Sequence, residues 1–168
     1  INVSGNVYQV AQPAFASTTV NLGNVRVGGT AQQAVGITNT NVAPAGFQEG
    51  LSASIGGATG GISANGNFTN LAAGGTNNSA LVVGLNTATS GARTGSATVN
   101  LVSTGVGTSG LADLGLGTQT INVSGNVYQV AAGQLNTASL NFGTVQVGQS
   151  VSQLLTISNI ATCSAGYV

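Results

Sequence analysis

Four side chains carry all the formal charge of this 168-residue protein: Arg26, Arg93, Glu49 and Asp113, with no Lys and no His. General acid–base chemistry needs a group that titrates near neutrality, most often His, or two carboxylates whose environments push their proton affinities apart. The first is missing. The second would have to come from Glu49 and Asp113, single residues far apart in sequence and each expected to sit hydrated on the surface. The one cysteine, Cys163, has no His to draw off its proton, so it reads as a packed or half-exposed thiol and not as a nucleophile. Ala43 stands 120 positions earlier, where an equivalent cysteine would be, so no disulfide is expected. Zinc wants Cys or His clusters and calcium wants several oxygens with net negative charge. No residue is therefore assigned to catalysis, to a metal or to a cofactor, and the chain is not expected to be an enzyme.

Two glycine-rich stretches imitate phosphate loops. Gly105-Val-Gly-Thr-Ser-Gly110 fits the spacing of a dinucleotide fingerprint, but no helix pattern follows it and no acidic residue stands about twenty positions on. Gly143-Thr-Val-Gln-Val-Gly-Gln-Ser150 resembles a P-loop with Gln149 in place of the lysine. Both are read as turns. A net charge of zero without a basic stripe removes the electrostatic term on which nucleic-acid affinity rests, so no nucleic acid is expected as a partner. No apolar run approaches the ~20 residues that cross a bilayer, and any signal peptide or anchor is expected outside these residues.

What could position side chains here is β-structure. Gly occurs 27 times and the hydrophobic fraction is 42%, spread through short runs of Val, Leu, Ile and Ala separated by Gly and Asn clusters. Strands are expected at Thr18 to Leu22, Asn24 to Val27, Gln32 to Thr38, Leu51 to Ile55, Ala80 to Leu85, Ser96 to Val102 and Thr118 to Val130. Leu81, Val83 and Leu85, and again Ala97, Val99 and Leu101, fall at period two, the mark of a sheet with one buried face. Turns are expected at Ala11 to Ala14, Gly56 to Gly61, Ala73 to Asn78 and Gly105 to Gly110.

The ten residues INVSGNVYQV occur at Ile1 to Val10 and again, letter for letter, at Ile121 to Val130; residues 1–48 and 121–168 share 21 identities without a gap. A period of 120 residues matches the size of an independent domain. The expected architecture is all-β, with tandem immunoglobulin-like β-sandwich repeats. Residues 1–10 would close a preceding repeat, 16–130 would form one complete sandwich, and 136–168 would open the next. Within the repeated strand, Ile1, Val3, Val7 and Tyr8 and their copies Ile121, Val123, Val127 and Tyr128 are the candidate contacts between modules or subunits. The two tyrosines are read as strand-end anchors.

The segment LNFGTVQVGQSVSQLLTISN, its weaker copy VNLGNVRVGGTAQQAVGITN and the closing run ending in INVSGNVY resemble the hydin-like, ASH-type immunoglobulin-like repeats of bacterial choice-of-anchor D surface proteins. Leu22 stands where the motif carries an aromatic, as at Phe142. The resemblance implies tandem sandwiches in secreted, cell-surface or matrix proteins, and no catalytic residues.

The remaining surface of Asn, Gln, Ser, Thr, Gly and Ala lacks the Lys and most of the Pro that ordinarily guard sheet edges, and it would repel copies of itself only weakly. The expectation is an extracellular structural subunit of a filament, sheath or surface layer whose partners are copies of itself, with or without strand exchange. The alternative is an adhesin stalk or a module that binds a glycan or matrix ligand. Localisation at the cell surface or outside the cell follows from either.

Overall fold

In the computed structural model, which describes residues 1–163 and 166–168, the protein is all-β. The strands are β1 (Pro13–Phe15), β2 (Thr19–Arg26), β3 (Gln32–Ala34), β4 (Ile37–Asn39), β5 (Gly50–Gly56), β6 (Ile62–Asn65), β7 (Asn67–Leu71), β8 (Thr76–Asn77), β9 (Val82–Leu85), β10 (Gly91–Thr104), β11 (Leu114–Tyr128), β12 (Gly133–Leu135) and β13 (Ile157–Asn159). One layer of a sandwich is the five-stranded sheet β2-β11-β10-β5-β7; the facing layer is two short sheets, β1-β4-β8 and β3-β9-β6. The last pair, β12-β13, forms its own two-stranded sheet.

Period-two alternation decides which face of each strand meets the other layer. Ala97, Val99 and Leu101 of β10, Ile121, Val123 and Val127 of β11, and Leu51, Ala53 and Ile55 of β5 point inward onto Ile62, Leu81, Val83 and Leu85. Burying one such aliphatic side chain contributes about 1.5–3 kcal/mol. The opposite face of the large sheet carries Thr19, Asn21, Thr94, Asn100 and Asn122, polar and wet, with Arg26 at its β2 edge.

Expectation and structure part in several places. The stretch Gln32 to Thr38 is two strands and not one. Val35 still donates to Leu81 O (2.8 Å) beside β9, while Gly36 O already accepts from Ala16 N (3.0 Å) beside β1. The chain thus changes sheet between adjacent residues, which a pattern of alternation cannot reveal. Thr18 to Leu22 and Asn24 to Val27 are conversely one strand, β2. The expected turns at Ala11 to Ala14 and Ala73 to Asn78 hold the start of β1 and all of β8, and β6 and β7 were not expected because Asn, Ser, Ala and Thr make up most of them.

Both edges of the five-stranded sheet are irregular. At the outer strand β2 the register with β11 slips between Ser124 and Asn126, where Gly23 takes φ 65°. At the other edge the pairing of β7 with β5 slips between Leu51 and Ala53, with Asn70 at φ 53°. Bulges of this kind twist an edge away from a flat partner strand.

Leu81 is fully buried at the centre of the sandwich. Leu81→Ala is expected to lower the unfolding free energy by about 2–5 kcal/mol, read as a shifted urea midpoint with an unchanged m-value.

Candidate functional site

The densest buried polar network lies where the chain enters the sandwich. Residues Gln9 to Gln12 form no strand of their own, and their backbone groups need partners. Gln9 N donates to Phe47 O (2.9 Å) and Gln9 O accepts from Glu49 N (3.0 Å), a short parallel bridge opposite Gln48. Asn41 Nδ2 donates to the carbonyls of Gln9 (2.8 Å) and Val10 (3.0 Å). Ala11 N donates to Ser103 Oγ (2.8 Å), and Gln12 N to Asn39 Oδ1 (3.0 Å). Asn39, fully buried, also donates from Nδ2 to Glu49 O and Leu71 O.

Glu49 stands at the centre, and it corrects the expectation of a hydrated surface carboxylate: only 4% of it is exposed. Its Oε2 accepts from Ser103 Oγ (2.7 Å) and its Oε1 from Ser109 Oγ (2.6 Å). A carboxylate can be buried only where donors replace its water, and here two hydroxyls do so without an arginine or lysine. Ser109 reaches it from the loop Gly105 to Gly110, closed by Gly110 N to Gly105 O (2.8 Å). The nucleotide-like glycine spacing thus serves a turn that delivers a hydroxyl. Asp113 is exposed and stands outside this network, and Cys163 is a free, half-buried thiol.

The arrangement holds a chain segment; the donors that surround the carboxylate leave it acting as an acceptor. Beside it lies a cleft of about 220 Å³ lined by Gly46, Gln48, Glu49, Asn70, Val106 and Thr108.

The repeated strand is placed twice, and differently. Ile121, Val123 and Val127 are buried in β11, which pairs antiparallel with β10 and parallel with β2. Gly125, in the same run, packs so closely that a Cβ there would meet Leu85 Cδ1 at 2.5 Å and Gly23 O at 3.0 Å. Ile1, Val3 and Val7 are exposed and lie in no strand.

Both tyrosines meet an aromatic ring. Tyr8 packs on Phe47 with centroids 5.4 Å apart and planes at 44°; Tyr128 packs on Tyr167 at 5.4 Å and 43°. Residues 47 and 167 are again 120 apart. So are the bonds around them: Gln129 N donates to Tyr167 O (2.7 Å), Ala132 N to Asn159 Oδ1 (2.9 Å) and Ile160 N to Ala132 O (2.8 Å), as Gln9 N, Gln12 N and Thr40 N do to Phe47 O, Asn39 Oδ1 and Gln12 O.

Sequence reasoning missed Glu49, Ser103 and Ser109 because they come together over separations of 54 and 60 residues. The recurrence of Asn39 as Asn159 was the one signal within reach.

Ser103→Ala leaves the Ala11 amide and one Glu49 oxygen without their partner. It is expected to cost about 1–3 kcal/mol for each group left buried and unpaired. Urea unfolding measures the loss; an unchanged midpoint would show that this hydroxyl holds nothing.

No protein-family model matches the chain, and no curated protein sequence does. Among solved structures it is similar to the ASH / PapD-like domain of human CEP192 (PapD-like domain 7), with 9% sequence identity and a TM-score of 0.48, over 77% of this chain and 98% of that one.

Proposed function

We propose that this protein is a stretch of a structural polymer of tandem immunoglobulin-like sandwiches, repeated every 120 residues and joined end to end, serving as a subunit of an extracellular filament, sheath or surface layer. The observation that carries this reading is the joint. Two segments of identical sequence, Val7 to Val10 and Val127 to Val130, the second running out of the end of β11, each set a tyrosine on an aromatic ring and a backbone amide on that residue's carbonyl. A linker tied down on the following unit transmits orientation; a free one would not.

The C-terminal segment supports the same reading. Ile157 is 67% exposed whereas Ile37, its counterpart 120 residues earlier, is 1% exposed. Leu140 and Leu155 likewise lie open where Val20 and Val35 are buried. In this reading the described residues from 136 to 163 present the inward face of an opening half-sandwich, the counterpart of the buried face of residues 16–43. Residues 1–10 are read in turn as the closing strand of a preceding unit.

The surface fits dense packing. Of the four charged residues one is buried, so copies repel one another weakly. Bulged edges turn lateral association away from edge-to-edge pairing and toward the flat Thr, Ser and Asn face of the five-stranded sheet. Exchange of the segment Ile1 to Val10 between subunits is a variant supported by its exposed Ile1, Val3 and Val7. The motif resemblance to bacterial choice-of-anchor D surface proteins points to the same compartment, and a stalk that binds glycan or matrix is the rival role.

Electron microscopy of the purified chain is expected to show ordered fibres or sheets that persist from about 0.01 to 1 M salt, since few exposed charges are available to be screened. A monodisperse monomer with measurable affinity for a glycan would overturn the structural reading and favour the rival.

A further inference from the structure

The two joints share their backbone pattern but differ in what locks it. At the first, Pro13 follows Gln12, and its ring restricts φ at the point where the linker becomes β1. Thr40 Oγ1 donates to Gln12 O (3.0 Å), and Asn41 Nδ2 donates to both Gln9 O and Val10 O. At the second, the residues 120 positions on are Gly133, Ile160 and Ala161. Glycine has the widest backbone freedom of any residue. Isoleucine and alanine have no side-chain donor, so the carbonyls of Gln129, Val130 and Ala132 cannot receive the three bonds made to Gln9, Val10 and Gln12.

What the joints retain is also definite. The aromatic pair, the amide bond to residue 47 or 167, and the asparagine acceptor at 39 or 159 recur with nearly equal geometry. Retained contacts give the two segments the same local seating. The replaced residues govern how readily that seating opens, and all three replacements act in one direction.

We propose that the joints are of two grades: a locked joint at residues 9–13, held by Pro13, Thr40 and Asn41, and a hinge at residues 129–133, where Gly133, Ile160 and Ala161 replace them. This rests on reading both segments as equivalent linkers in the tandem polymer. A chain of stiff sandwiches with joints of unequal stiffness bends at chosen places while every sandwich stays folded. Compliance is then written into a few linker positions instead of into local unfolding.

Native-state hydrogen exchange by NMR on the 168-residue chain tests it. The amides of Gln9 and Gln12 are expected to exchange at least about tenfold more slowly than those of Gln129 and Ala132, given the bonds withdrawn from the second joint. General loosening of residues 131–168 would give the same difference, so the double variant Gly133→Pro, Ala161→Asn is the deciding measurement. Proline fits at 133 because Pro13 occupies the same strand position opposite Asn39 as Gly133 does opposite Asn159. The variant is expected to slow Gln129 and Ala132 at least about fivefold, with less than about twofold change at Val99 in the core and at Ser158 in β13. Equal rates at the two joints overturn the proposal, as does a double variant that leaves Gln129 and Ala132 unmoved or slows Ser158 by the same factor. Equal rates in material that still forms fibres would overturn the grading and leave the structural role standing; a graded pair of joints in a chain that stays monomeric would do the reverse.

Discussion

The parallel pairing of β11 with β2 is the constraint on which the rest depends. It joins Asn122 to Thr19 and Tyr128 to Arg26, residues about a hundred positions apart, and seats the closing strand between β2 and β10. Without it the large layer would lose its outer strand, and Ile121, Val123 and Val127 would lie on an edge strand paired with β10 alone. At Gly125 the strand packs closely, and a Cβ there would meet Leu85 Cδ1 at 2.5 Å and the Gly23 carbonyl at 3.0 Å. The same strand then delivers Tyr128 to the end of the sandwich, where it packs on Tyr167. The core packing and the Tyr128–Tyr167 contact are therefore consequences of one strand placement. Pairings of such long range are slow to form, because loop entropy is lost before the contacts repay it.

The second theme is polarity without charge. The sandwich satisfies its buried side-chain polar atoms with amides and hydroxyls, and among the described residues no buried side-chain nitrogen or oxygen is left without a partner. Asn39 alone serves Gln12, Glu49 and Leu71. Neutral hydrogen bonds carry smaller desolvation costs than ion pairs, and they depend weakly on salt. Glu49 is the exception, a carboxylate accepted into the interior because Ser103 and Ser109 converge on it from β10 and from the following glycine loop. It binds that end of the sandwich to the incoming chain through Ser103 and the Ala11 amide. A network of this kind specifies geometry as much as it adds stability.

Much of the β-structure could be read ahead of the coordinates because alternation is a local signal. Leu81, Val83 and Leu85, and Ala97, Val99 and Leu101, were recognisable from spacing alone, and they are core residues. The polar strands β6 and β7 were not, since Ser63, Asn65, Asn67 and Thr69 look like loop composition until an apolar partner strand covers their other face. The division of Gln32 to Thr38 escaped for a different reason. A strand that changes sheet keeps its alternation, and only the identity of its hydrogen-bond partners reveals the switch. The edges taught a similar lesson: the lack of Lys and scarcity of Pro suggested open edges, yet Gly23 and Asn70 adopt left-handed backbone that bends them.

By itself the sequence determined the strand-and-turn character of the chain, its near absence of charge, the recurrence of its decapeptide 120 positions on and the faces of its most apolar strands, since each is a property of neighbouring residues or of identity at a fixed spacing. Tertiary structure alone decided that Glu49 is buried, that the glycine loop exists to present Ser109, that each tyrosine finds an aromatic partner, and that the repeated decapeptide can be either a core strand or an exposed segment. These depend on groups that meet across tens of residues. Ile1 to Val10 and Ile121 to Val130 have the same letters, and what separates them is whether β2 and β10 are there to receive the strand.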